Sequence, residues 1–152
     1  MNIQKFYLIG ISTRTTNENG QSAKDIEVLW SKFWSEEIQK QIPNQISDKI
    51  YAVYTDYESD FTRPYTTIVG SAVSSLAHIP EGFVGITIET ANYQKFVSKG
   101  KMPEAVFNTW LEIWGDKDLN QKRAYQADFT IHGKKYYDGD QAEVETFISV
   151  KA

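Results

Sequence analysis

Asp25-Ile26-Glu27-Val28-Leu29-Trp30-Ser31-Lys32-Phe33-Trp34 decides how this chain is read, because it returns in altered form as Ala105-Val106-Phe107-Asn108-Thr109-Trp110-Leu111-Glu112-Ile113-Trp114. Ile26, Leu29, Trp30 and Phe33 recur at i, i+3, i+4 and i+7, which is one apolar face of a helix. The spacing predicts a helix over 23–39, opened by Ser22 with Asp25 as a variant capping box and ended by Pro43. The second copy predicts a helix over 103–114, with Pro103 in the first turn and Gly115 as its stop. The pattern Trp-x3-Trp occupies the same place in both.

The flanking segments repeat as well. Residues 6–13, 49–57 and 65–73 read as strands, with turn residues at 17–20 and 59–64, so the last two form a hairpin. Residues 83–90 look extended. Strands are then expected over 93–97, 121–131 and 142–150, with a turn over 133–139. Tyr54-Thr55-Asp56-Tyr57 echoes Gln126-Ala127-Asp128-Phe129. The expectation is a single α+β domain over 1–152, built from a duplicated strand–helix–strand–strand module (about 3–75 and 83–151). It would have pseudo-twofold symmetry and a mostly antiparallel sheet with two helices on one face.

A chain of 152 residues has the size of one domain and can bury a core without staples. It has no cysteine, which excludes disulfides, thiolate metal sites and cysteine nucleophiles and fits a reducing cytoplasm. The net charge is −4, with acids and bases interspersed. Without a dense positive face, neither nucleic acid nor an anionic membrane surface is an expected partner. The apolar run 6–11 is too short for a secretion signal, and no stretch reaches the length of a membrane span.

Aromatic residues make up 14% of the chain, with four Trp, nine Tyr and eight Phe. Such a load either fills a core or lines an apolar cleft. Trp30 and Trp110 fall mid-stripe, where a ring packs on the sheet. Trp34 and Trp114 lie about 40° further round the wheel, at the edge, where a helix flanks a cleft. Trp34, Trp110, Trp114, Tyr51, Tyr65, Tyr125 and Phe147 are the aromatic candidates for ligand binding. Strand faces alternate, so Tyr51 and Val53 share one face, Tyr54 and Asp56 the other, and only one set sees a pocket.

Asp128 and Glu145 are acids inside apolar strands. Each is either a solvated outward group or a desolvated carboxylate able to pair with a cation or serve as acid or base, and Glu58 is a further candidate. His78 and His132 are the only histidines and lack metal-ligand spacing. No nucleophile elbow or phosphate loop occurs, so neither a metal nor a cofactor is expected.

Tyr51-x5-Tyr57-x2-Asp60-x4-Tyr65-x4-Gly70, Tyr93-x2-Phe96-x3-Gly100, Thr109 to Trp114, Asp128-Phe129-Thr130 and Ala142 to Ile148 together resemble the GyrI-like small-molecule-binding family, also described as the AraC-type or integron-associated effector-binding domain. The resemblance covers nearly the whole chain. It implies the duplicated module already read and a cleft near the pseudo-twofold axis for hydrophobic, often cationic, compounds. It implies a stand-alone sensor or sequestering protein, with hydrolysis of strained cyclopropane-bearing electrophiles by a cleft carboxylate as the alternative. A protein partner, either a regulator or a topoisomerase, is a third expectation. The chain opens directly on the sensor module, so the resemblance implies no DNA binding of its own. In the family a Glu stands two residues after the Asp of the penultimate strand. Here Thr130 takes that place, and the usual carboxylate partner of a cationic ligand is missing from it.

Overall fold

The computed structural model describes residues 1–133 and 139–151. In chain order the elements are β1 (Asn2–Ile3), β2 (Phe6–Thr15), α1 (Gln21–Ser35), α2 (Ile38–Gln41), β3 (Ile50–Thr55), β4 (Tyr65–Val73), β5 (Val84–Ile88), β6 (Ala91–Lys99), α3 (Glu104–Gly115), α4 (Lys117–Lys122), β7 (Ala127–His132) and β8 (Glu143–Val150). The strands form one sheet in the order β1-β6-β8-β7-β3-β4-β2-β5, with every pairing antiparallel.

That order is palindromic by module. β4 lies between β2 and β3 in the first copy, β8 lies between β6 and β7 in the second, and the copies join where β3 pairs with β7. The edges are exchanged: β1 leads into the first module but pairs with β6 of the second, while β5 leads into the second and pairs with β2 of the first. A pseudo-twofold axis therefore passes between β3 and β7.

The sheet is strongly curled. Phe6 on β2 and Phe129 on β7 have ring centroids 5.4 Å apart, although β4 and β3 stand between their strands. On a flat sheet three strand spacings would separate them by about 14 Å. Gly10 and Gly70 pair across β2 and β4, and a Cβ on either would fall 2.1 Å from a carbonyl oxygen of the other strand. Only glycine permits that approach. Phe6, Tyr51, Tyr93, Phe129 and Phe147 belong to the core inside the curl. The helices lie outside it. Leu29 and Phe33 of α1 pack with Ile9, Ile11, Val69 and Val73, and Ile113 of α3 packs with Ile148 and Phe96.

Several boundaries differ from the sequence reading. The first helix begins at Gln21 after left-handed Gly20, with no side-chain cap from Ser22. Asp25 instead accepts from Thr15 and Gln21. The helix does not run to 39, because Glu37 would occupy the buried stripe. Left-handed Glu37 (φ 49°) breaks it and steps the phase by one residue, so Ile38 and Ile42 are buried instead. Residues 121 and 122 are helical rather than strand: Asp116 caps α4 by accepting from Leu119 N at 3.0 Å, and Leu119 is buried. The turn expected over 133–139 lies largely outside the described residues. Asp56 and Asp128 are not equivalent, since Asp56 is exposed beyond the end of β3 whereas Asp128 is buried within β7.

Candidate functional site

The convex curl splays α1 and α3 and opens a cavity of about 730 Å³ above β3 and β7. The walls repeat at one constant offset: Ser22 and Met102, Ala23 and Pro103, Ile26 and Val106, Glu27 and Phe107, Trp30 and Trp110, Trp34 and Trp114 all line it. On each helix the two indoles lie against one another, with centroids 6.0 Å apart for Trp30–Trp34 and 6.1 Å for Trp110–Trp114. The floor follows the same symmetry. Trp30 meets the His132 ring edge-to-face at 4.9 Å, and Trp110 meets Tyr54 at 5.1 Å. Thr130 also lines the floor, with its hydroxyl 2.9 Å from Nε2 of His132.

The two ends differ in chemistry. Beside Trp114 the cavity is closed by Phe61, whose ring stacks on the indole at 6.0 Å and 10°, and by Asn17, Tyr57, Tyr65 and Arg123. Tyr65 donates to Asn17 Oδ1 at 2.7 Å, which ties β4 to the start of α1. Arg123 is fully buried and donates from Nη2 to Asp128 Oδ2 at 2.8 Å. Tyr57 donates to the same oxygen at 2.6 Å. The other oxygen of Asp128 accepts from the backbone N–H and the hydroxyl of Ser149 at 2.7 and 3.0 Å. The guanidinium sits over the Tyr125 ring, with Cζ 4.3 Å from the ring centroid.

Burial sets the protonation states of the floor. It pushes the Tyr54 hydroxyl up, with Tyr65 adding to the effect, and it pushes Tyr65 up to about 12. Tyr57 is pushed well up by burial and then by the Asp128 carboxylate. His132 is pushed down to about 4 by burial, so its imidazole is neutral at pH 7. Burial opposes the charge of Arg123, but Asp128 and Tyr57 outweigh it and hold the pKa above its ordinary value. The cleft floor thus holds neutral phenols, a neutral imidazole and one compensated ion pair.

Of the residues picked from sequence, Trp34, Trp110, Trp114 and Tyr65 line this cavity. Tyr51, Phe147 and Glu145 do not. Tyr51 and Phe147 belong to the core inside the curl, and Glu145 is half-exposed in an ion pair with Lys95. Tyr125 supports Arg123 from outside the lining, and its hydroxyl bonds Asn120. Asp128 lies beneath the floor with both oxygens occupied. Glu58 pairs with Arg63 at 2.7 Å on an exposed loop away from the lining. The three candidate acids therefore do not converge. Sequence reasoning missed Tyr57, Phe61, Arg123 and His132, and it left Trp30 out of the candidates in favour of packing on the sheet. Strand alternation from Thr130 would have placed His132 on the Tyr54 face. Arg123 offered no local signal, because its partner is fixed by tertiary structure. No cluster of potential metal ligands occurs among the described residues, and no helix among them is long and apolar enough to cross a membrane.

Comparison with known proteins gives relatives that match along almost the full chain. YobU of Bacillus subtilis (strain 168), named for a proposed role as a transcriptional regulator, is 28% identical over 145 residues, covering 93% of this chain and 90% of that protein. The crystal structure of the integron cassette protein VCH_CASS2, from the mobile metagenome of Vibrio cholerae, superposes with a TM-score of 0.75 at 31% identity, covering 99% of this chain and 94% of that one. SAV2435, solved bound to tetraphenylphosphonium, has the same fold at 18% identity, with a TM-score of 0.83 over 100% of this chain and 92% of its own. The Cass2 family model, the integron-associated effector binding protein, matches residues 2–150 and so takes in both helices and the whole cavity between them; this chain belongs to that family.

Proposed function

We propose that the chain captures bulky aromatic, amphipathic small molecules in the cleft between α1 and α3, with lipophilic cations favoured, and serves as a sensor or sequestering module. One observation carries the reading: all four tryptophans of the chain line a single cavity. A core placed for stability alone would bring such rings into contact with one another, as happens inside the curl. Here two indole pairs instead face each other across a space of about 730 Å³, within the range of drug-sized sites. A cation over an indole face gains about 0.5–2 kcal/mol. Glu27 at the wall adds negative charge without an ion-pair partner among the described residues. The tetraphenylphosphonium held by SAV2435 is a ligand of this class. Binding is favoured over ring-opening hydrolysis because Asp128 has no oxygen left to act with, and Glu145 and Glu58 do not line the cleft.

Titration with tetraphenylphosphonium, followed by intrinsic tryptophan fluorescence, tests the reading. Saturable quenching is expected, with clearly weaker binding of the isosteric anion tetraphenylborate. A linear, unsaturable response to both would overturn it.

A further inference from the structure

The cleft is symmetric in its walls but not in its ends, and the unlike end contains an unspent donor set. The Arg123 side chain has no solvent-exposed surface, yet the residue contributes to the cleft lining. Its Nη2 is committed to Asp128, with Tyr57 Oη at 3.5 Å. Its Nε and Nη1 are buried and have no hydrogen-bond partner among the described residues. A buried guanidinium with two unsatisfied N–H groups is costly, because each group has given up water and received nothing in return.

We propose that this end of the cleft is a subsite for a hydrogen-bond acceptor, so that the ligand class is a polycyclic or multi-ring arene carrying a carbonyl or comparable oxygen at one end. The inference rests on the cleft being a ligand site and specifies which end of the ligand enters first. Three features support the direction. The donors are already desolvated, so a ligand oxygen that reaches them gains a charge-assisted bond and meets no competition from hydration of the arginine. The ion pair with Asp128 is internally compensated, so a neutral oxygen suffices and no anion is required. At the opposite end His132 is neutral and its Nε2 already engages the Thr130 hydroxyl, so that pair supplies no charged donor. The arene then lies against Trp110 and the stacked pair of Trp114 and Phe61, which border this end of the cleft.

The test compares diphenylmethane with benzophenone, two-ring probes of nearly equal shape in which a methylene is replaced by a carbonyl. Affinities are read by equilibrium dialysis. Benzophenone is the less lipophilic of the two, so a purely apolar cleft binds it more weakly. The subsite predicts that it binds about tenfold more tightly, the value of one hydrogen bond to a charged donor. The double variant R123M/D128N removes the donor without leaving a naked buried carboxylate, and it is expected to reverse the preference while diphenylmethane still binds. Should that variant fail to fold, the Arg123 Nε–H resonance of the wild-type chain is followed instead: benzophenone shifts it and diphenylmethane does not. Equal or weaker binding of benzophenone, with diphenylmethane bound, overturns the subsite and leaves the cleft standing. If neither probe binds and tetraphenylphosphonium also fails to bind, the cleft reading falls and the subsite falls with it.

Discussion

Inside the curl, Phe6, Tyr51, Tyr93, Phe129 and Phe147 pack ring to ring, with centroids 5.0–6.5 Å apart among the contacts they make. On the helix face, Trp30, Trp34, Trp110, Trp114 and Tyr54 make pair contacts of similar length, yet these pairs are arranged around a void. The two clusters lie on opposite faces of one sheet, and both are aromatic. The sign of curvature separates them. On the concave side the strands bring their side chains together, and the rings close on one another. On the convex side they diverge, and each helix is anchored on its own module through Leu29 and Phe33 or through Ile113, meeting the other module through Trp30 on His132 or through Trp110 on Tyr54 and Trp114 on Phe61. Aromatic content therefore does not mark a site; its position relative to the bend does.

The comparison predicts opposite responses to ring removal. Phe129 is 1% exposed and touches Phe6, Tyr51, Tyr93 and Phe147. Phe129→Ala is expected to lower unfolding free energy by about 4 kcal/mol, measured by urea denaturation. A loss under about 1 kcal/mol would mean that the concave face is as loosely filled as the cleft.

Acid sharpens the contrast next. His132 has a folded-state pKa of about 4 against 6.5 for the free side chain. Between those values the unfolded chain takes up a proton that the native chain refuses. The stability linked to this group is thus intact above pH 6.5 and lost as pH falls toward 4, reaching about 3 kcal/mol. His132→Asn should flatten the stability–pH curve in that window, as read by thermal melts at stepped pH. An unchanged slope would place the imidazole in contact with water. Third in size, Trp110→Ala should weaken tetraphenylphosphonium binding about tenfold while costing less stability than Phe129→Ala, because the indole already borders empty space.

The fold was legible because duplication repeats its own evidence. The second Trp-x3-Trp helix and the strand 65–73 were placed within a residue of their observed ends, and the first helix within two residues at its start but four residues too long at its end. The exchange of edge strands was not legible: residues 83–90 were read as extended without a pairing to β2, and β1 is two residues long and pairs with a strand about ninety positions away. The site was half legible. Helix periodicity located the indoles, because a wheel has only one edge facing a neighbour. Strand alternation left two choices for Tyr51 and Tyr54, and only the direction of the curl decides between them. Asp128 shows the limit most clearly. A lone acid in an apolar strand reads either as a solvated outward group or as a functional carboxylate, and the sequence alone does not reveal that Tyr57, Arg123 and Ser149 occupy both its oxygens.

The smallest predicted effect separates the faces by charge alone. Glu27 is an exposed acid on the cleft wall without an ion-pair partner among the described residues, whereas Glu145 is half-exposed on the concave face and already compensated by Lys95. Neutralising Glu27 removes a net attraction for a cation at the mouth. Neutralising Glu145 removes half of a pair whose field largely cancels at a distance. Glu27→Gln should therefore weaken tetraphenylphosphonium binding about twofold at low ionic strength and strengthen tetraphenylborate by a similar factor, and both effects should fade as salt shortens the screening length from about 30 Å to about 8 Å. Glu145→Gln should leave both affinities unchanged and cost under about 1 kcal/mol of stability. Tryptophan quenching titrations at two salt concentrations read all of these. A larger binding shift from Glu145→Gln than from Glu27→Gln would mean that the cation approaches from inside the curl, and the assignment of the cleft to the convex face would fail.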